Sequence, residues 1–264
     1  MLGAIAGDII GSVYEFSSDK TKDFLLFSPG CAPTDDSLMT IAVGCTCISA
    51  SLYNEHEFKA TLVDMMREIG RQYHDCGYGD DFYKWLMSDT RSAYGSFGNG
   101  SAMRVSPVAY AAKTLDDVKR LARWSAQVTH DHQEAIAGAE AIACCVFLAK
   151  EGKSKDDIRS FIEDEYYPLN FTLDKIRPTY KFDVTCRGSV PQAIECFLES
   201  ANYEDAVRNA VSLGGDGDTI AAMAGSIAEA YYGIPDDIAE EALSRMDDIQ
   251  KEYYYEYADI LYFS

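Results

Sequence analysis

The chain has 264 residues, with 43 Asp plus Glu against 23 Lys plus Arg and a formal net charge of −20. That acid surplus excludes a nucleic-acid binder, which needs a basic surface to neutralise phosphates, and an anionic membrane surface would repel it. An apolar fraction of 47% with 25% charged residues is that of a globular protein, long enough here to bury one large core.

The N-terminal segment Gly3-Ala-Ile-Ala-Gly7-Asp8-Ile-Ile-Gly11-Ser12-Val-Tyr-Glu15 spaces three glycines by four. On a helix this marks one face for close approach to another helix, and Asp8 and Glu15, seven apart, would share a side. Asp8 interrupts the apolar stretch and no basic region precedes it, so a secretory signal is not expected. Thr34-Asp35-Asp36-Ser37 then stands directly before the apolar run 38–50. Thr and Asp are good N-caps, and acids suit the positive end of a helix, but two adjacent carboxylates plus a Thr exceed what a cap requires.

Helical spacing continues with Phe58, Leu62, Met65, Met66, Ile69 and Tyr73, then with Leu115, Val118, Ala122 and Ser125. Between these two stretches lies the glycine-rich segment Gly95-Ser96-Phe97-Gly98-Asn99-Gly100-Ser101. Its backbone N–H groups could face a phosphate, although it is neither a Walker loop nor a Rossmann fingerprint. Thr129-His130-Asp131-His132 leads into 134–149, which is apolar nearly all round, as a central buried helix would be. Thr179–Thr185 is the one fair candidate for an extended stretch. Gly214-Gly215-Asp216-Gly217-Asp218-Thr219 opens the small-residue helix 219–232, and Ile238, Ala242, Met246 and Ile249 share a last helical face. Loops are expected at 17–33, 74–82, 88–101 and 167–188. Around the buried helices 38–50, 134–149 and 219–232 this predicts one all-α domain over 1–264.

Eight cysteines include no CxxC pair, and Cys45, Cys47, Cys144 and Cys145 sit in apolar segments. Reduced thiols and a cytoplasmic protein follow as expectations. No apolar run is long enough to span a bilayer.

The chemistry resides in Glu15, Asp35, Asp36, Asp216 and Asp218, with Thr34 and Thr219 as neutral oxygens. Hard oxygens without His or Cys suit Mg²⁺ or Mn²⁺, and five carboxylates are better balanced by two cations than by one. An EF-hand is excluded because the position eleven residues after Asp216 is Ile227. Spacing alone does not place residue 36 near residue 216. His130-Asp131 also supplies an HD dyad, so a metal-dependent HD-type phosphohydrolase is a rival, but it leaves the TDD and GDGDT segments unused. A non-catalytic ligand-binding module is the other rival.

The segments GAIAGDIIGSVYE, TDDSLMT, SFGNGSAMR, THDHQEAIAGA and GGDGDT, in this order, resemble the ADP-ribosylglycohydrolases. The resemblance implies a compact orthogonal all-α fold with a binuclear Mg²⁺ or Mn²⁺ centre at the foot of an ADP-ribose cleft. It implies metal ligation by Thr34, Asp35, Asp36, Asp216, Asp218, Thr219 and Glu15, with catalysis by Glu15, Asp36 or Asp216. It assigns substrate contacts to Asp35, Gly95, Ser96, Phe97, Asn99, His130 and, by the loosest match, Val190. The implied activity is hydrolysis of the bond between ADP-ribose and an acceptor, with arginine as the expected side chain. A monomer is expected. The remaining acid surplus is concentrated at 236–259, where nine acids face two bases, and reads as a solvated helical face.

Overall fold

The computed structural model describes residues 1–17 and 19–262. The described residues form fifteen helices and no strand. In chain order these are α1 (Leu2–Gly11), α2 (Asp35–Ser49), α3 (Glu55–Gly70), α4 (Asp80–Met87), α5 (Gly100–Met103), α6 (Pro107–Ala111), α7 (Leu115–Gln127), α8 (Gln133–Lys150), α9 (Lys155–Glu165), α10 (Leu173–Ile176), α11 (Cys186–Leu198), α12 (Tyr203–Leu213), α13 (Gly217–Tyr232), α14 (Asp236–Arg245) and α15 (Asp248–Leu261). The all-α reading therefore holds, and no described helix is long and apolar enough to cross a membrane.

The three helices expected at the centre are there as α2, α8 and α13. Small side chains and the absence of a polar stripe leave them nothing to offer water. In α8, Ala135, Ala139, Ile142, Ala143 and Val146 are all buried, with α5, α7, α11 and α13 packed around them. Their ends are set by ordinary capping. Thr34 accepts from the Asp36 N–H at the start of α2, and His132 accepts from the Glu134 N–H at the start of α8.

The glycine stripe of α1 decides how α1 meets α13. A Cβ on Gly7 would lie 2.2 Å from the Ala221 carbonyl oxygen, and one on Gly11 would lie 2.4 Å from the Asp218 Cα. Gly225 on α13 answers in kind, because a Cβ there would lie 2.3 Å from the Gly3 oxygen. Only bare backbone on both helices permits this separation, and it sets the end of α1 against the start of α13.

The extended stretch Thr179–Thr185 pairs with no strand and retains one isolated antiparallel bridge, between Thr185 and Gly98. The expected loops are interrupted. α4 begins inside 74–82, α5 at the end of 88–101, and α10 with the start of α11 inside 167–188. The last predicted helical face is divided. Met246 is extended, Asp247 caps a new helix, and Ile249 is exposed on α15 instead of continuing the row of Ile238 and Ala242. Of the nine acids at 236–259, all but Glu241 are exposed, in keeping with a solvated face. All eight cysteine thiols are free.

Candidate metal centre and ligand cleft

Two helix N-termini converge on one point. α2 brings Asp35 and Asp36 in its first turn, and α13 brings Asp216 at its N-cap and Asp218 in its first turn. Positive φ at Gly214 (+66°) and Gly215 (+82°) turns the chain sharply into α13, a conformation that glycine adopts without strain. The convergence yields two groups of carboxylates. Oxygens of Asp8, Asp36 and Asp218 lie within 4.8 Å of one another, as do oxygens of Glu15, Asp216 and Asp218. Asp218 belongs to both.

Asp8, absent from the sequence-derived ligand set, is the residue that organises this cluster. Fully buried on α1, it accepts from the Thr34 N–H (2.9 Å), the Thr34 hydroxyl (2.6 Å), the Ser37 N–H (3.0 Å) and the Ser37 hydroxyl. It thereby receives the orphan donors at the start of α2 from outside that helix. Its signal in the sequence was an acid on an otherwise apolar, glycine-striped helix, a position that must be paired if buried.

The remaining partners tie the two helix starts together. The Thr219 hydroxyl donates to Asp36 Oδ2 at 3.1 Å, the Thr219 N–H to Asp218 Oδ1 at 2.9 Å, and the Asn99 amide to Asp216 Oδ2 at 2.6 Å. Asp36 Oδ1 is buried and has no hydrogen-bond partner among the described residues. Among the described residues, no lysine or arginine pairs with Asp8, Glu15, Asp35, Asp36, Asp216 or Asp218. Burial and then mutual repulsion push Asp35, Asp36 and Asp218 well above the ordinary carboxylate range. Burial, then the charges of Asp216 and Asp8, push the half-buried Glu15 up to about 7. A cluster of this kind needs protons or cations. The orphaned Asp36 oxygen and the all-oxygen donor set fit a hard divalent cation.

Glu15, Asp35, Asp36, Asp216 and Asp218 form the floor of a cleft of about 380 Å³. Ser96, Gly98, Asn99, Gly100 and His130 line it, together with Tyr94, Phe182 and Val184. Of the expected site residues, Glu15, Asp35, Asp36, Asp216, Asp218, Thr219, Ser96, Asn99 and His130 line this one cavity. Thr34 sits behind it on Asp8. Glu15 lies in a turn beyond the end of α1 and not on the helix, so it and Asp8 do not share a helix face.

Gly95 and Phe97 flank the cleft without lining it. Gly95, at φ +74°, donates its N–H to Asp131, and the half-exposed Phe97 ring meets His132 edge-on at 5.8 Å. Val190 is misplaced by the sequence reading. It is fully buried on α11 against Gly138, a core side chain outside the cleft lining. Phe182 and Val184 stand at the cleft surface instead, from the stretch that precedes α11 and bridges to the glycine-rich loop. The HD dyad is not assembled. Asp131 is exposed and holds Gly95, and neither candidate cluster contains a histidine.

Comparisons with known proteins give the family and the fold. The family model described as ADP-ribosylglycohydrolase matches residues 1–263. The chain is 30% identical to "ADP-ribosylhydrolase ARH3" of Mus musculus, over 89% of this chain and 83% of that protein. It is 24% identical to "ADP-ribosylarginine hydrolase Tri1" of Pseudomonas putida (strain GB-1), over 89% of this chain and 70% of that protein. A solved structure titled "ADP-ribosylglycohydrolase-related protein complex" superposes with a TM-score of 0.71 at 22% identity, covering 99% of this chain and 96% of that one.

Proposed function

Given that this chain belongs to the ADP-ribosylglycohydrolase family, and so is a glycohydrolase of ADP-ribose linkages, we propose that it releases ADP-ribose from protein arginine with two Mg²⁺ or Mn²⁺ ions. The observation that carries the metal reading is the pair of carboxylate groups sharing Asp218 on the cleft floor. Asp8, Asp36 and Asp218 would hold one ion, and Glu15, Asp216 and Asp218 the other, with Asp35 and Thr219 as further oxygens beside them. When bound, such cations supply Lewis acidity toward ribose hydroxyls and water.

The chain's own residues supply the rest. Ser96, Asn99 and the N–H groups at the start of α5 line the wall that receives the diphosphate and distal ribose. Asn99 orients Asp216 through their hydrogen bond. Glu15, in a turn and half-buried, has the freedom to take a proton from the attacking water at its carboxylate. Asp36 and Asp216, held by hydrogen bonds, are the alternative carboxylates for proton transfer. The acidic rim residues Asp80 and Asp81 favour a cationic acceptor, and the Tri1 relative, named for ADP-ribosylarginine, favours the same linkage.

A panel of arginine-, serine- and O-acetyl-linked ADP-ribose, assayed with Mg²⁺, with Mn²⁺ and with EDTA, tests the reading. Release from arginine that is abolished by EDTA and by Asp36→Asn plus Asp216→Asn is expected. Metal-independent release, or release from serine alone, would overturn it.

A further inference from the structure

A buried cation stands at the cleft wall. Arg104 follows α5, is fully buried, and makes no ion pair among the described residues. Its Nη2 donates to the Ser125 carbonyl at 3.0 Å and to the Thr129 hydroxyl at 2.8 Å. A guanidinium can only donate, so Thr129 Oγ1 is an acceptor in that bond.

The Thr129 hydroxyl has one proton of its own, and its one further partner among the described residues is His130 Nδ1, 2.7 Å away. Were Nδ1 protonated, two donors would converge on Oγ1 and the hydroxyl proton would have no acceptor. With Nδ1 accepting, the Thr129 hydroxyl and His130 Nδ1 are both satisfied, and a neutral ring then carries its proton on Nε2. That nitrogen faces the glycine-rich loop. It lies 3.1 Å from where a Cβ on Gly100 would be, and no described residue bonds to it. His130 itself lines the cleft.

We infer that Arg104, acting through the Thr129 hydroxyl, locks His130 in the Nε2–H tautomer, so that His130 offers the cleft a fixed donor for a ligand oxygen. Arg104 and Thr129 are positioning residues, and the inference rests on the ADP-ribose reading for the identity of the ligand. Burial, then the charge of Arg104, hold His130 well below its usual pKa, which keeps the ring neutral. The arrangement gives a reason for a buried, unpaired arginine, whose desolvation is otherwise a cost without return. The glycines at 98 and 100 leave the Nε2 edge uncovered.

The test reads the tautomer directly, by ¹⁵N–¹H correlation of histidine-labelled full-length protein near neutral pH, alongside titration with free ADP-ribose in Mg²⁺. Wild type and Thr129→Ser should show the Nε2–H pattern and bind within about twofold of each other. Thr129→Val, which keeps the shape and removes the hydroxyl, should lose the single tautomer and bind about tenfold more weakly, as loss of one hydrogen bond predicts. An Nδ1–H or doubly protonated His130 in wild type would overturn the inference. So would a Thr129→Val protein with unchanged tautomer, or with unchanged affinity. A wild type that shows the Nε2–H pattern yet binds no ADP-ribose would instead sink the functional reading and leave the relay standing.

Discussion

Asp8 accepts both the backbone N–H and the hydroxyl of Thr34, so a carboxylate on α1 caps α2 from a neighbouring helix. Together with the two bonds from Ser37, this fixes the rotation of the first turn that carries Asp35 and Asp36. Asp8→Asn keeps the shape but turns an NH₂ toward groups that can only donate or already donate. The expected loss is about 2–4 kcal/mol of stability, with weakened divalent-cation binding. Denaturant melts and isothermal titration with Mn²⁺ check both, and a variant of wild-type stability would contradict the capping role.

Asp218 is the one carboxylate common to both groups. Asp218→Asn is therefore expected to reduce turnover more than either Asp36→Asn or Glu15→Gln, by roughly a hundredfold or more. Single-turnover release of ADP-ribose measures this, and an equal effect of all three substitutions would argue against a shared ligand.

Asn99 touches the centre only through Asp216. Its replacement by Ala should lower kcat by roughly tenfold to a hundredfold, as for other partners that orient a ligating carboxylate. Because Asn99 also lines the ligand wall, KM is expected to rise as well, and steady-state kinetics separate the two contributions.

Burial and mutual repulsion raise Asp35, Asp36 and Asp218 in the folded chain, so the native state holds more protons than the unfolded one above the ordinary carboxylate pKa near 4. Stability of the cation-free protein must then fall as pH rises through that window, which reaches about 7 at Glu15. A bound divalent cation favours the charged forms and removes this loss. Melting curves should show a larger gain from Mg²⁺ over EDTA at pH 8 than at pH 5, and an equal gain at both would refute the account.

Gly7→Ala would drive a methyl to 2.2 Å from the Ala221 carbonyl oxygen, with backbone on both sides and no flexible atom to yield. The expected cost is about 3 kcal/mol or more, since neither helix can move without shifting Asp8 or Asp218. Gly152→Ala, at φ +72° with nothing within 4 Å, costs only the backbone strain of that turn and serves as the comparison in thermal melts.

Much of this was legible in one dimension because helices are local. The periodic apolar runs became α2, α8 and α13, since a helix without a polar face has no stable place but the centre. The acids at the starts of α2 and α13 stood out because they exceeded what capping needs. Val190 was misread because an apolar residue in a motif carries no sign of which way its helix turns, and α11 turns it into the core. Phe182 and Val184 were passed over because an extended stretch with no sheet partner has no pattern that separates a cleft wall from a loop.

The sequence by itself determined the helical class, the hard-oxygen donor type and most of the acids in the set, because propensity, capping and donor type are properties of residues and their near neighbours. Only the tertiary structure decided that Asp36 and Asp218 meet, that Asp8 belongs with them, and that Arg104 stands behind His130. Those relationships span long stretches of chain. Asp8 meets Asp218 because two glycine-lined helices pack closely, and that pairing joins segments far apart in the chain.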